Sequence, residues 1–131
     1  MTEAPKLKHV GIAVKNMEDA LNVYRDMGFD VLPEELLEEH GLRIVTIPTG
    51  EVMLELMEPL DSSGPVAKFI AKKGEGIHHL AFSVKNLDLT VEKLIHLGYS
   101  LIGGHGTGLK GSRIAFMHPK TTGGILVELI E

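Results

Sequence analysis

Four residues of this chain are of the right type and spacing to do chemistry together: His9, Glu55, His79 and Glu128. They fall in two pairs, His9 with His79 and Glu55 with Glu128, and each pair occupies equivalent places in an internal repeat. Imidazole nitrogen and carboxylate oxygen are ligands for divalent metals such as cobalt, manganese, nickel, iron or zinc. The chain contains no cysteine, which excludes cysteine-ligated zinc, iron–sulfur clusters, thiol nucleophiles and a disulfide scaffold. Any metal must therefore sit on nitrogen and oxygen. Two imidazoles and two carboxylates would leave positions open on the ion for substrate oxygens. One histidine in a strand is more often a packing or surface residue than a ligand, and one glutamate is usually exposed. Four such residues in two equivalent pairs, on otherwise apolar or small faces, favour the metal site.

The repeat that relates them is visible without gaps over 7–32 and 77–102. Identical pairs are His9/His79, Val14/Val84, Lys15/Lys85, Asn16/Asn86 and Gly28/Gly98. The same offset pairs Gly41 with Gly111, Arg43 with Arg113 and Ile44 with Ile114. A short insertion then shifts it, so that Glu55 meets Glu128, Leu56 meets Leu129 and Glu58 meets Glu131. The 131 residues thus read as one folding unit made of two modules, about 1–60 and 75–131.

Each module must place its histidine and glutamate on strands. Alternation over 7–14 and 77–84 predicts the first strand of each. Asn16 and Asn86 are good N-caps, each before an acidic first turn. Helices follow, with apolar spacing at Met17, Ala20, Leu21, Tyr24 and Met27, and at Leu87, Val91, Leu94 and Ile95. Gly28 and Gly98 suit the left-handed position just past a helix end. Further strands are expected over 28–33, 42–48 and 51–58, then over 98–103, 112–118 and 124–130. The modules are βαβββ, and Pro65 predicts a linker helix over 65–73. The helix should cover the bulky face of Val10, Ile12 and Val14. The face of His9, Gly11 and Ala13, like that of His79, Ala81 and Ser83, is left with small residues that suit a cleft. The fold class expected is α+β, tandem βαβββ modules forming a half-barrel with a metal-binding cleft.

The remaining features narrow the function by exclusion. Acids outnumber bases 18 to 13, a net charge of −5, which disfavours nucleic acid and anionic membrane as partners. No apolar stretch approaches the roughly 20 residues of a membrane span. Met1 to Lys6 lacks the apolar core of a signal peptide, so a cytoplasmic location is expected. Of seven histidines, His78, His40 and His96 read as structural or solvated, while His105 and His118 could approach a ligand.

Tandem βαβββ modules with metal ligands on equivalent strands resemble the vicinal oxygen chelate superfamily, the glyoxalase-like fold. The resemblance covers essentially the whole chain. Within that superfamily, several segments look most similar to the methylmalonyl-CoA epimerases. They are His9 to Val14, Ser63 to Lys68, Gly74-Glu75-Gly76-Ile77-His78-His79-Leu80-Ala81-Phe82, Arg113 to Lys120 and Gly124 to Leu129. The resemblance implies epimerisation at C2 of methylmalonyl-CoA through an enolate. It implies metal ligands His9, Glu55, His79 and Glu128, a divalent ion (cobalt before manganese, nickel or zinc), and a homodimer. Many such epimerases carry Gln at the position of Glu55.

Glu128 is then the expected acid/base on one face of C2, and the repeat nominates Glu55 for the other, beside its role as a ligand. Ile44 stands where some of these enzymes carry a glutamate proposed as a base, and it cannot move a proton. A CoA thioester also brings phosphates. The glycine-rich segment 103–111 reads as a hairpin connection or, with Lys110, Arg113 and Lys120, as a phosphate contact. A lactoylglutathione lyase-like isomerase and a non-catalytic bleomycin-resistance-type binding protein are the alternatives.

Overall fold

A computed structural model gives the fold and describes residues 3–131, apart from the side chain of His105. Among the described residues, eight strands and three α-helices run in the order β1 (Lys6–Ala13), α1 (Met17–Asp26), β2 (Glu35–Leu37), β3 (Leu42–Pro48), β4 (Met53–Pro59), α2 (Pro65–Lys73), β5 (Gly76–Ser83), α3 (Leu87–His96), β6 (Leu101–Thr107), β7 (Arg113–Met117) and β8 (Val127–Ile130). The chain forms two compact units, one of His9–His78 and one of Met1–Lys8 with His79–Glu131. Strand β1 therefore begins in the second unit and ends in the first.

In the His9–His78 unit the strand order is β2-β3-β4-β1, with β1 parallel to β4 and the other pairs antiparallel. Helix α1 covers one face. Val14, Met17, Leu21, Val45, Ile47 and Leu56 form a buried core there, with Ile12, Ala20 and Tyr24 packed against it. Full burial of side chains of this size contributes roughly 1.5–3 kcal/mol each. The second unit repeats the plan as β6-β7-β8-β5 with β5 parallel to β8. Its helix-side core is Leu87, Val91, Ala115, Met117 and Leu129.

The predicted caps are present. Asn16 Oδ1 accepts from the Asp19 amide and Asn86 Oδ1 from the Leu89 amide, both at 3.0 Å. Gly28 (φ +100) and Gly98 (φ +98) take the left-handed step after their helices, which a side chain would strain. The linker helix spans the expected residues, and Val66 is its buried anchor.

Three expectations need correction. Residues 28–33 are not a strand. The chain there is tied back to α1 by the Phe29 amide on Tyr24 O (3.0 Å), only Leu32 bonds to β3 (its amide on Thr46 O, 2.9 Å), and Pro33 has no amide to give, so pairing starts at Glu35. The second strand of the second module lies at Leu101–Thr107 rather than 98–103. It takes in most of the glycine-rich segment, as an outer strand with a register shift between Ile102 and Gly106. The last strand starts at Val127 because Gly123 and Gly124 turn with positive φ. The helical stripes are also narrower than their spacing suggests, with Met27 at 66% and Ile95 at 57% exposure.

Candidate functional site

Within the His9–His78 unit, the parallel register of β1 and β4 sets Gly11 beside Glu55. His9 lies two residues before Gly11 and so shares its face. Glycine at this place leaves the glutamate side chain room to turn back along β1. The result is a contact of 3.1 Å between His9 Nδ1 and Glu55 Oε2. The His9 side chain is 5% exposed and that of Glu55 17%.

The second unit builds the same pair from its own strands. Ala81 lies beside Glu128 in the parallel register of β5 and β8. His79 Nε2 sits 3.2 Å from Glu128 Oε1, and the Phe116 ring meets the His79 ring edge-on at 6.0 Å. On the same face Ala81, Ile114 and Ile130 form a buried cluster, with Phe116 packed against it.

His9, His79 and Glu128 are buried polar residues, at 4%, 4% and 6% exposure. Burying a carboxylate costs several kcal/mol unless it is paired or bound to a metal. Each of these side chains offers a donor atom of the kind that binds a divalent metal. The donor chemistry fits. Metal–ligand bonds of about 2.1 Å place adjacent ligand atoms of one ion about 3.0–3.4 Å apart. The two His–Glu separations, 3.1 and 3.2 Å, fall in that range.

Each carboxylate strand is held by a second glutamate, three residues further on. Glu58 Oε2 accepts from the Met17 amide at the start of α1 (2.7 Å), and its Oε1 pairs with Arg43 Nη1 (2.7 Å). Glu131 does the same, accepting from the Leu87 amide (2.8 Å) and pairing with Arg113 Nη1 (3.2 Å). A carboxylate at a helix N-terminus satisfies an orphan amide and the helix dipole at once. The Glu58 bond and the nearby Glu34 carboxylate raise the Arg43 pKa; Asp88, then Glu131, raise that of Arg113. The pairing of Glu58 with Glu131 under the repeat is the one sequence signal for this tie. The helix contact itself is not legible there.

The other nominated residues are not among these His–Glu contacts. Arg113 is committed to Asp88 (2.7 Å) and Glu131. Lys110 is exposed, in a 3-10 turn at Leu109–Gly111, with a left-handed backbone (φ 57). Lys120 is exposed and its amide donates to His118 Nδ1 (3.1 Å), which ties the His118 ring to the following turn. His78 meets the Phe69 ring of α2 edge-on at 5.0 Å. His40 and His96 close helical turns, and the side chain of His105 lies outside the described residues. Ile44 is buried at 3% on β3.

The sequence profile of the Glyoxalase/Bleomycin resistance protein/Dioxygenase superfamily matches residues 5–116. An uncharacterized protein of Bacillus subtilis, YqjC, is 39% identical over 128 residues, covering 96% of this chain and 91% of its own. The crystal structure of methylmalonyl-CoA epimerase from Mycobacterium tuberculosis superposes with a TM-score of 0.89 at 39% identity, over 96% of this chain and 87% of that one. A methylmalonyl-CoA epimerase in complex with methylmalonyl-CoA and NH4+ superposes with a TM-score of 0.91 at 33% identity, over 98% and 94%.

Proposed function

The chain belongs to the Glyoxalase/Bleomycin resistance protein/Dioxygenase superfamily, and from that premise we propose that it is a metal-dependent epimerase that inverts C2 of methylmalonyl-CoA. The observation that carries this is the pair of equivalent His–Glu contacts, 3.1 and 3.2 Å, one in each unit. In this reading His9, Glu55, His79 and Glu128 hold one divalent ion, cobalt before manganese, nickel or zinc. The ion would supply a Lewis acid for the negative charge that develops on the thioester when C2 loses its proton. Similarity to epimerases, one of them bound to methylmalonyl-CoA, supports the substrate.

Glu128 takes the C2 proton on one face. It is buried, and its contact with His79 fixes the carboxylate in place. Glu55 serves as a ligand. Lys110 and Lys120, exposed and cationic, take the phosphates of the CoA carrier, while Arg113 holds the strand that follows the glycine-rich segment. Lys110 is presented by the one positive-φ non-glycine backbone among the described residues, the kind of local strain found where a side chain must be aimed. The reading includes a homodimer that covers open strand edges.

The test compares purified protein on two substrates. Interconversion of the methylmalonyl-CoA epimers, with no turnover of the glutathione hemithioacetal of methylglyoxal, is expected. The reverse result would assign a lactoylglutathione lyase-like isomerase instead. Tight ligand binding with neither reaction would assign a binding protein.

A further inference from the structure

Inversion needs two proton-carrying groups, one on each face of C2. Under the reading above, Glu128 provides one. The strand registers supply a second candidate. In the β2–β3 ladder Glu35 lies directly opposite Ile44, and in the β3–β4 ladder Ile44 lies opposite Met57 and Thr46 opposite Glu55. Residues directly opposite in an antiparallel pair project from the same face, and alternate residues of one strand share a face. Glu35 therefore stands on the sheet face of Glu55 and His9.

Its burial agrees. Glu35 and Leu37 are half-buried, while Leu36 between them is 54% exposed. Apart from His9 and Glu55, the strand positions of that face hold non-titrating residues such as Gly11, Ala13, Ile44, Thr46, Met53 and Met57. In the second unit, the face of His79 and Glu128 carries Ala81, Ile114, Phe116 and Ile130, and among the described residues no further titratable side chain. Glu35 is thus the one additional carboxylate that the two ladders bring to a site-bearing face among the described residues. It stands one strand beyond Ile44.

We propose that Glu35 is the second acid/base, serving the face of C2 opposite Glu128. In one direction the Glu128 carboxylate takes the C2 proton, and the electron pair of the broken C–H bond moves into the thioester carbonyl. The acid form of Glu35 then delivers its proton to C2 from the other face as that pair returns to form the new C–H bond. The cycle leaves Glu128 protonated and Glu35 ionised, and exchange with solvent resets both. The reverse direction swaps the roles. This rests on the epimerase reading.

Each pure epimer of methylmalonyl-CoA, incubated in D2O with metal-loaded Glu35→Gln, tests it. Inversion should fall by about a hundredfold or more. One epimer should still exchange its C2 proton for deuterium without inverting, because Glu128 is intact; the other should not exchange. Glu35→Asp should recover part of the inversion. Glu38→Gln, a neighbouring exposed acid, should leave both readouts unchanged. Inversion at the wild-type rate in Glu35→Gln overturns the proposal. So does equal loss of exchange from both epimers in a variant with native circular dichroism and full metal content. Absence of exchange by the metal-loaded wild-type protein is a different result, and it removes the epimerase reading itself.

Discussion

Arg43 Nη1 lies 2.7 Å from Glu58 Oε1, three residues beyond the Glu55 that faces His9. The ion pair joins the strand of the nominated ligand to its antiparallel neighbour β3, and the second oxygen of Glu58 fastens both to the start of α1. Arg113 and Glu131 repeat it beside Glu128. The strands that carry Glu55 and Glu128 are thus tied down by charged groups outside the two His–Glu pairs.

Glu58→Ala should therefore destabilise the protein by about 1–3 kcal/mol, since the amide at the start of α1 loses its acceptor and Arg43 keeps only Glu34. Urea unfolding measures this. Glu58→Gln, which keeps one acceptor for the helix, should cost less.

Small residues beside the carboxylates should matter for space rather than for chemistry. Ala81 has no exposed surface and neighbours Glu128 in the parallel register. Ala81→Val should cost about 1–3 kcal/mol by overpacking, and it should weaken metal binding by displacing Glu128. Metal titration of the folded variant reads the second effect separately from the first.

Lys110 carries opposite expectations for stability and binding. Its φ of 57 disfavours any side chain, so Lys110→Gly should stabilise the fold by about 1 kcal/mol. The same change should weaken CoA binding, and more so at low salt, because a phosphate contact between exposed charges is screened. Calorimetric titration with CoA at two ionic strengths checks this. Unchanged affinity would place the phosphates elsewhere.

Much of the frame is readable from the residues alone because short-range rules govern it. Asn16 and Asn86 cap their helices since an amide side chain next to free backbone amides has few better partners. Pro65 opens the linker helix, and the strand expected over 42–48 is β3. The failures have physical causes too. Phe29 and Val31 are apolar because they pack on the α1 core, not because they pair in a sheet. The glycines from Gly103 to Gly106 look like a loop, yet an outer strand with a bulge tolerates them. The pairing of Arg113 with Asp88 and Glu131 is likewise not legible in the residues alone. Glu35 sits among Glu34, Glu38 and Glu39 in the sequence, and only the β2–β3 register separates it from solvated neighbours.

His79→Ala should lose metal with little loss of fold, since its ring lies between a carboxylate and Phe116 rather than in the helix-side core. Metal analysis alongside circular dichroism checks this; an unfolded variant would make His79 a structural residue.

In the proposed function, a metal on the two His–Glu pairs supports proton loss at C2. Deuterium incorporation at C2 of methylmalonyl-CoA, followed by NMR with and without EDTA, is the decisive measurement. Rapid exchange that EDTA abolishes and added cobalt restores is the predicted result. No exchange in the metal-loaded protein, or exchange indifferent to EDTA after the metal has been stripped, would contradict it.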